Sequence, residues 1–179
     1  NPGWGERARH LILPVATLAI VETGAIARFA RAAMIEALAG DPSLLAEASQ
    51  LRTARGAGRM ILGIDRLDYT KGIDHRMRAF EMLLNQPGFS VENCVLVQVA
   101  APSREVVDEY ADMRSRIELT VGRINGEYGE AAWVPIRYLY RSYSKAQLAQ
   151  LYRTASVGYV TPLRDGMNLV AKEYVAAQD

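Results

Sequence analysis

The sequence predicts an α/β fold: a parallel sheet with helices packed on it, preceded in the chain by an apolar helix. Three observations predict it. Strand candidates alternate with helical patterns, which argues for parallel strands joined by right-handed crossovers. The helical segments carry apolar residues at steps of three and four. Two charged, glycine-bearing turns leave the carboxyl ends of strand candidates, where sheets of this kind bind ligands.

The elements follow in order. Met60 to Asp65 reads as the first strand, and Ile73, Met77, Phe80 and Leu84 place a helix over 73–84 behind it. Asn93–Val99 is the second strand. Glu105–Val121 is helical, with Val106, Tyr110, Met113, Ile117 and Val121 forming its apolar stripe. Pro135–Tyr140 is a third strand and Lys145–Thr154 a helix. A fourth strand falls within Ser156–Pro162, where Ser156 to Val160 reads as short and buried, and Leu169 to Ala177 forms the last helix.

The chemistry concentrates in two turns. After the fourth strand, Thr161-Pro-Leu-Arg-Asp-Gly-Met-Asn168 leads into the last helix. Gly166 lets backbone approach a ligand closely, and Asn168 suits a helix cap. Such a turn aims unpaired N–H groups and the positive helix end at an anion. The carboxylates of Asp165 and Glu173 flank it, suited to sugar hydroxyls. After the first strand, Arg66-Leu-Asp-Tyr-Thr-Lys-Gly72 places two cations on one turn. A guanidinium fork and a mobile ammonium match a diphosphate and would stabilise one as it departs. Pairing of Arg66 and Lys71 with Asp65 and Asp68 on a solvated surface is the competing reading.

Composition bounds the possibilities. The chain has 179 residues, 50% of them hydrophobic, enough for about one domain with a sizeable core. A net charge of +1 argues against nucleic acid as a partner drawn by bulk charge. The single cysteine, Cys94, excludes an internal disulfide framework and fits a cytoplasmic protein. His10 and His75 lack partners at metal spacing and read as structural, so no metal site is expected. No carboxylate pair suggests a glycosidase.

Four motifs in register resemble one family: Arg66 to Gly72, Ala101-Pro-Ser-Arg104, Gly122-Arg-Ile-Asn-Gly126, and Asp165 to Tyr174. They are similar to trehalose-6-phosphate synthases, retaining glucosyltransferases of glycosyltransferase family 20, from about Leu38 to the last residue. The resemblance implies a Rossmann-like parallel sheet with helices on both faces, the carboxyl-terminal domain of a GT-B enzyme. It also implies transfer of glucose from UDP-glucose to glucose 6-phosphate, with retention and without metal or cofactor.

Roles follow from the same resemblance. Arg66 and Lys71 would bind the donor diphosphate. Asp165 with Gly166, Met167 and Asn168 would hold the donor glucose, and the amides of Leu169 and Val170 would face phosphate. Glu173 would grip the ribose, and Tyr143 and Leu148 would lie in the uracil-contacting segment. Arg104 would reach the phosphate of the acceptor. Burial explains Leu148 equally well, Tyr143 reads equally as a surface aromatic, and Glu173 as an exposed helix residue.

Residues 1–37 form a separate apolar helical segment, and 38–179 the incomplete nucleotide-sugar-binding domain. The apolar run Leu11–Val21 is shorter than the roughly 20 residues of a membrane span. Residues 1–36 weakly resemble a transporter permease segment, which suggests a joined reading frame, with a divergent helix or an anchor over residues 10–36 as alternatives. A joined segment would pack poorly or project. The family's amino-terminal half and closing helix have no counterpart, so weak donor binding and little turnover are expected. Other readings are a glucosylglycerol-phosphate synthase, a nucleotide-sugar-binding module without catalysis, and a transport component.

Overall fold

The computed structural model describes residues 4–39, 58–87, 89, 94–102, 108–131 and 133–178. The elements are α1 (Trp4–Ala39), β1 (Arg59–Arg66), a 3-10 turn (Tyr69–Lys71), α2 (Ile73–Leu84) and β2 (Cys94–Ala101). They continue with α3 (Asp108–Tyr128), β3 (Ile136–Tyr140), α4 (Lys145–Thr154), β4 (Val157–Gly158) and α5 (Leu169–Ala177).

All strand pairs are parallel, in the order β3-β2-β1-β4. The pleat of β2 sorts its side chains into two cores. Cys94, Leu96 and Ala100 join Met77 and Phe80 of α2 and Ile117 and Ile124 of α3. Val95, Val97 and Val99 face Ala149 and Tyr152 of α4 and Ala177 of α5. Every residue from Cys94 to Ala100 is buried, as a strand covered on both faces requires. The predicted sheet with helices on both faces is the observed one.

The boundaries of α2, α4 and α5 coincide with the predicted helices, while α3 runs past the predicted end at Val121 to Tyr128. There Asn125 donates to the Ile136 carbonyl at 2.8 Å and accepts from its N–H at 3.0 Å, tying the helix to β3. One strand differs from expectation. The segment predicted as a buried strand over 156–160 shrinks to Val157–Gly158, and Val157 is 45% exposed. Among the described residues it pairs only with β1, so it is an edge strand with a solvated side. Ser156 N–H to Met60 O and Tyr159 N–H to Leu62 O, each 2.8 Å, bracket this short ladder.

The amino-terminal segment is helical as predicted. α1 is in contact with α4 and α5 and does not lie between strands. Leu13, Ile20 and Phe29 are each more than two-thirds exposed. No helix among the described residues is long and apolar enough to cross a membrane.

The strand order sets the ligand position. From β1 the chain winds outward to β2 and β3 on one side, then returns by α4 to place β4 on the other side of β1. Between β1 and β4 the winding reverses, so the connections diverge and a crevice opens beyond their carboxyl ends. Both charged turns leave these two strands.

Candidate functional site

The turn after β1 is built locally. Asp68 accepts from the Thr70 N–H at 2.9 Å and from its hydroxyl at 2.8 Å, capping the 3-10 turn. These bonds, with Arg66 and Lys71 nearby, hold the Asp68 carboxyl below its ordinary pKa despite partial burial. Gly72 then takes φ 62°, a left-handed conformation that a side chain disfavours, and α2 begins. A Cβ there would also meet Leu163 Cγ and Thr161 O at 3.2 Å.

The second loop is fastened onto the first. The N–H groups of Leu163 and Arg164 both donate to Thr70 O, at 2.8 and 3.1 Å. Together the loops line an open cleft of about 680 Å³ with Arg66, Thr70, Lys71, Pro162, Leu163, Arg164, Asp165 and Gly166. Lys71 Nζ donates to Asp165 Oδ2 at 2.7 Å, and Asn168 Nδ2 donates to the same oxygen at 3.0 Å. The hydrogen bond from Lys71 is the main reason the Asp165 carboxyl sits below its ordinary pKa. Asn168 Oδ1 accepts from Ala171 N–H at 3.0 Å, as predicted for a cap. The amides of Leu169 and Val170 remain at the open first turn, where a helix has no internal acceptors for them.

The short contacts differ from those of the competing surface-pair reading, although the Asp68 carboxylate still feels Arg66 and Lys71. Lys71 pairs across the cleft with Asp165, Asp68 caps Thr70, and Asp65 pairs with a residue that nothing in the linear pattern pointed to, Arg76. Arg76 is wholly buried beneath the site. Its Nη1 donates to Asp65 Oδ2 at 2.7 Å and to Gln98 Oε1 at 2.8 Å, and its Nε donates to Thr161 Oγ1 at 3.1 Å. The guanidinium also lies 5.4 Å from the Tyr159 ring centroid. One side chain of α2 thus joins β1, β2 and the start of the second loop. Gly63 makes room, because a Cβ there would collide with Arg76 Nη1 and Gln98 Oε1. Burial pushes the Asp65 carboxyl above its ordinary pKa even against the pull of Arg76.

Glu173 is half-buried, and its Oε2 accepts from the buried Tyr152 phenol at 2.8 Å. Burial, then the Glu173 charge, pushes that phenol far above its ordinary pKa, so it acts only as a donor. The exposed-residue reading of Glu173 does not describe this arrangement. Among the described residues its other oxygen accepts no hydrogen bond. Tyr143 and Leu148 pack against the core under α4 and do not line the cleft. Tyr143 is held by Arg141, whose Nε donates to its hydroxyl at 2.7 Å. Met167 is exposed. Arg104 lies outside the described residues. His75 is exposed beside Asp74, 3.0 Å away, and His10 is exposed on α1.

What this arrangement can do chemically is hold a diphosphate between two cation-bearing loops, with a carboxylate and a helix start beside it. Comparison with known proteins points the same way. The model of glycosyltransferase family 20 matches residues 31–179. The trehalose-6-phosphate synthase of Mycolicibacterium smegmatis is 47% identical over 159 residues, 88% of this chain and 32% of that protein. An E. coli trehalose-6-phosphate protein, solved with UDP-2-fluoro glucose bound, superposes with a TM-score of 0.75 at 41% identity, covering 83% of this chain and 33% of that one. A UDP-forming α,α-trehalose-phosphate synthase from Burkholderia xenovorans, in complex with glucose-6-phosphate, gives 0.70 at 47% identity, covering 73% and 29%. The chain therefore spans about a third of the length of these relatives.

Proposed function

The chain belongs to glycosyltransferase family 20, and from that premise we propose that it supplies the donor half of a retaining transfer of glucose from UDP-glucose to glucose 6-phosphate. The observation that carries this reading is the meeting of Arg66, Lys71 and Asp165 in one cleft at the point where strand winding reverses. In this reading 38–179 form the nucleotide-sugar-binding unit, 1–37 are the helical segment that precedes it, and the work is done in the cytoplasm.

The roles follow from the chemistry. Arg66 and Lys71 neutralise the diphosphate as the bond from glucose C1 to its oxygen breaks. The freed phosphate oxygen takes the proton of the acceptor hydroxyl, and that hydroxyl bonds to C1 on the same face, which retains configuration. Asp165, now paired with Lys71, exchanges that partner for donor hydroxyls while Lys71 turns to phosphate. Glu173 accepts from the ribose, and the Leu169 and Val170 amides donate to phosphate. Tyr143 and Leu148, packed outside the diphosphate cleft, border the base beyond it, and Arg104 reaches the acceptor phosphate. Holding two substrates in register supplies much of the rate, so the acceptor's positioning matters as much as the donor's.

Titration calorimetry with UDP and UDP-glucose tests the donor reading, and a coupled assay of UDP release with glucose 6-phosphate tests transfer. Saturable binding of both nucleotides is expected. Failure of either to bind would overturn the proposal.

A further inference from the structure

The cleft contains a third cation that the roles above leave unused. We propose that Arg164 is a diphosphate-binding residue, holding phosphate oxygens from the lip opposite Arg66; this rests on the donor reading above.

Three observations carry it. First, Arg164 lines the same cleft as Arg66 and Lys71. Its position is built rather than incidental, because its own N–H and that of Leu163 are bonded to Thr70 O in the cation-bearing turn. Second, the charges do not cancel. Lys71 is taken up by Asp165 at 2.7 Å, whereas among the described residues neither the Arg66 nor the Arg164 guanidinium makes a hydrogen bond or ion pair. With Asp68, whose carboxylate feels Arg66 and Lys71 from the same turn, three cations face two carboxylates and leave a formal surplus of one positive charge. Like charges gathered without partners repel, so the arrangement is favourable only when an anion enters. A sugar-linked diphosphate, one negative charge on each phosphate, supplies the counter-charge that this surplus calls for. Third, the chemistry differs on the two sides of the pair. An arginine fork takes two oxygens at once and keeps its charge at any working pH. The two arginines can therefore attract the diphosphate first, before Lys71 exchanges Asp165 for phosphate.

The test uses the full chain and inorganic pyrophosphate, UDP and uridine as probes in equilibrium binding, with Arg164→Ala, Arg164→Gln and Arg164→Lys. Loss of one charged contact should weaken pyrophosphate and UDP by the same factor, about tenfold or more. Arg164→Lys should recover part of it, and the salt dependence of UDP binding should flatten in the neutral variants. Uridine binding should not change. Pyrophosphate affinity equal to wild type in both Arg164→Ala and Arg164→Gln would overturn the inference, as would a wild-type chain that ignores pyrophosphate. A wild type that binds pyrophosphate but prefers UDP no further would instead sink the donor reading, and the Arg164 role would stand on the variants' loss of pyrophosphate.

Discussion

Replacing Arg76 by methionine tests whether the buried network is what supports the site. The Arg76 and Asp65 side chains are 0% and 3% exposed, with Nη1 and Oδ2 2.7 Å apart. Water cannot replace the lost guanidinium, and methionine retains most of the packing stem. Removing one partner of such a pair costs about 3–5 kcal/mol, a large part of the ~5–15 kcal/mol that holds a domain together. The loss should depend on pH in a defined direction. Burial already raises the Asp65 carboxyl above 3.8 despite Arg76, and without that cation it is driven to stay protonated in the fold. A carboxyl neutral when folded and ionised when unfolded gives the folded state the extra proton. Its contribution is thus intact below about 3.8 and is lost as pH rises toward the raised folded value, at up to about 1.4 kcal/mol per pH unit. Urea denaturation from about pH 5 to pH 8 should show the gap between variant and wild type widening with pH. Adding Asp65→Asn should remove the slope. A loss under about 1 kcal/mol, the level of an exposed pair, with no pH slope would refute the reasoning.

Other outcomes follow from the same geometry. Tyr152→Phe removes only the donor to Glu173, so UDP should bind severalfold more weakly while pyrophosphate affinity holds, as calorimetry would show. Asn168→Ala should lower helix stability by about 1 kcal/mol through the lost cap, and should weaken UDP-glucose more than UDP because Asp165 loses an anchor. Lys71→Met should cost about tenfold or more in pyrophosphate affinity. The Asp165 carboxyl, now held low mainly by Lys71, should move up in that variant. Because its folded value is depressed, the stability it contributes is present above about 3.8 and lost as pH falls through that lowered value, so a carboxyl NMR titration should show the midpoint shift.

Much of the fold was legible because its signals are local. The stripe Ile73, Met77, Phe80 and Leu84 needs only helical periodicity, and α2 begins and ends where that stripe does. The Asn168 cap is likewise a relation between near neighbours. The fourth strand was overstated because apolar character at 156–160 does not reveal whether one or both sides of a strand are paired. At an edge, the ladder can be as short as Val157–Gly158.

The sequence by itself determined the residue chemistry of the site: two cations and a glycine after one strand, a carboxylate and a capping asparagine after another. Only the tertiary structure decided which charges meet. Lys71 and Asp165 are 94 residues apart in the chain yet 2.7 Å apart in space, because parallel winding brings β4 back beside β1. Arg76 reads as one more charged helix residue until folding buries it against Asp65 and Gln98, where loss of water makes an ion pair obligatory. Periodicity and capping act over a few residues and can be read along the chain. Burial and charge pairing are set by contacts between distant segments, and these exist only once the sheet has assembled.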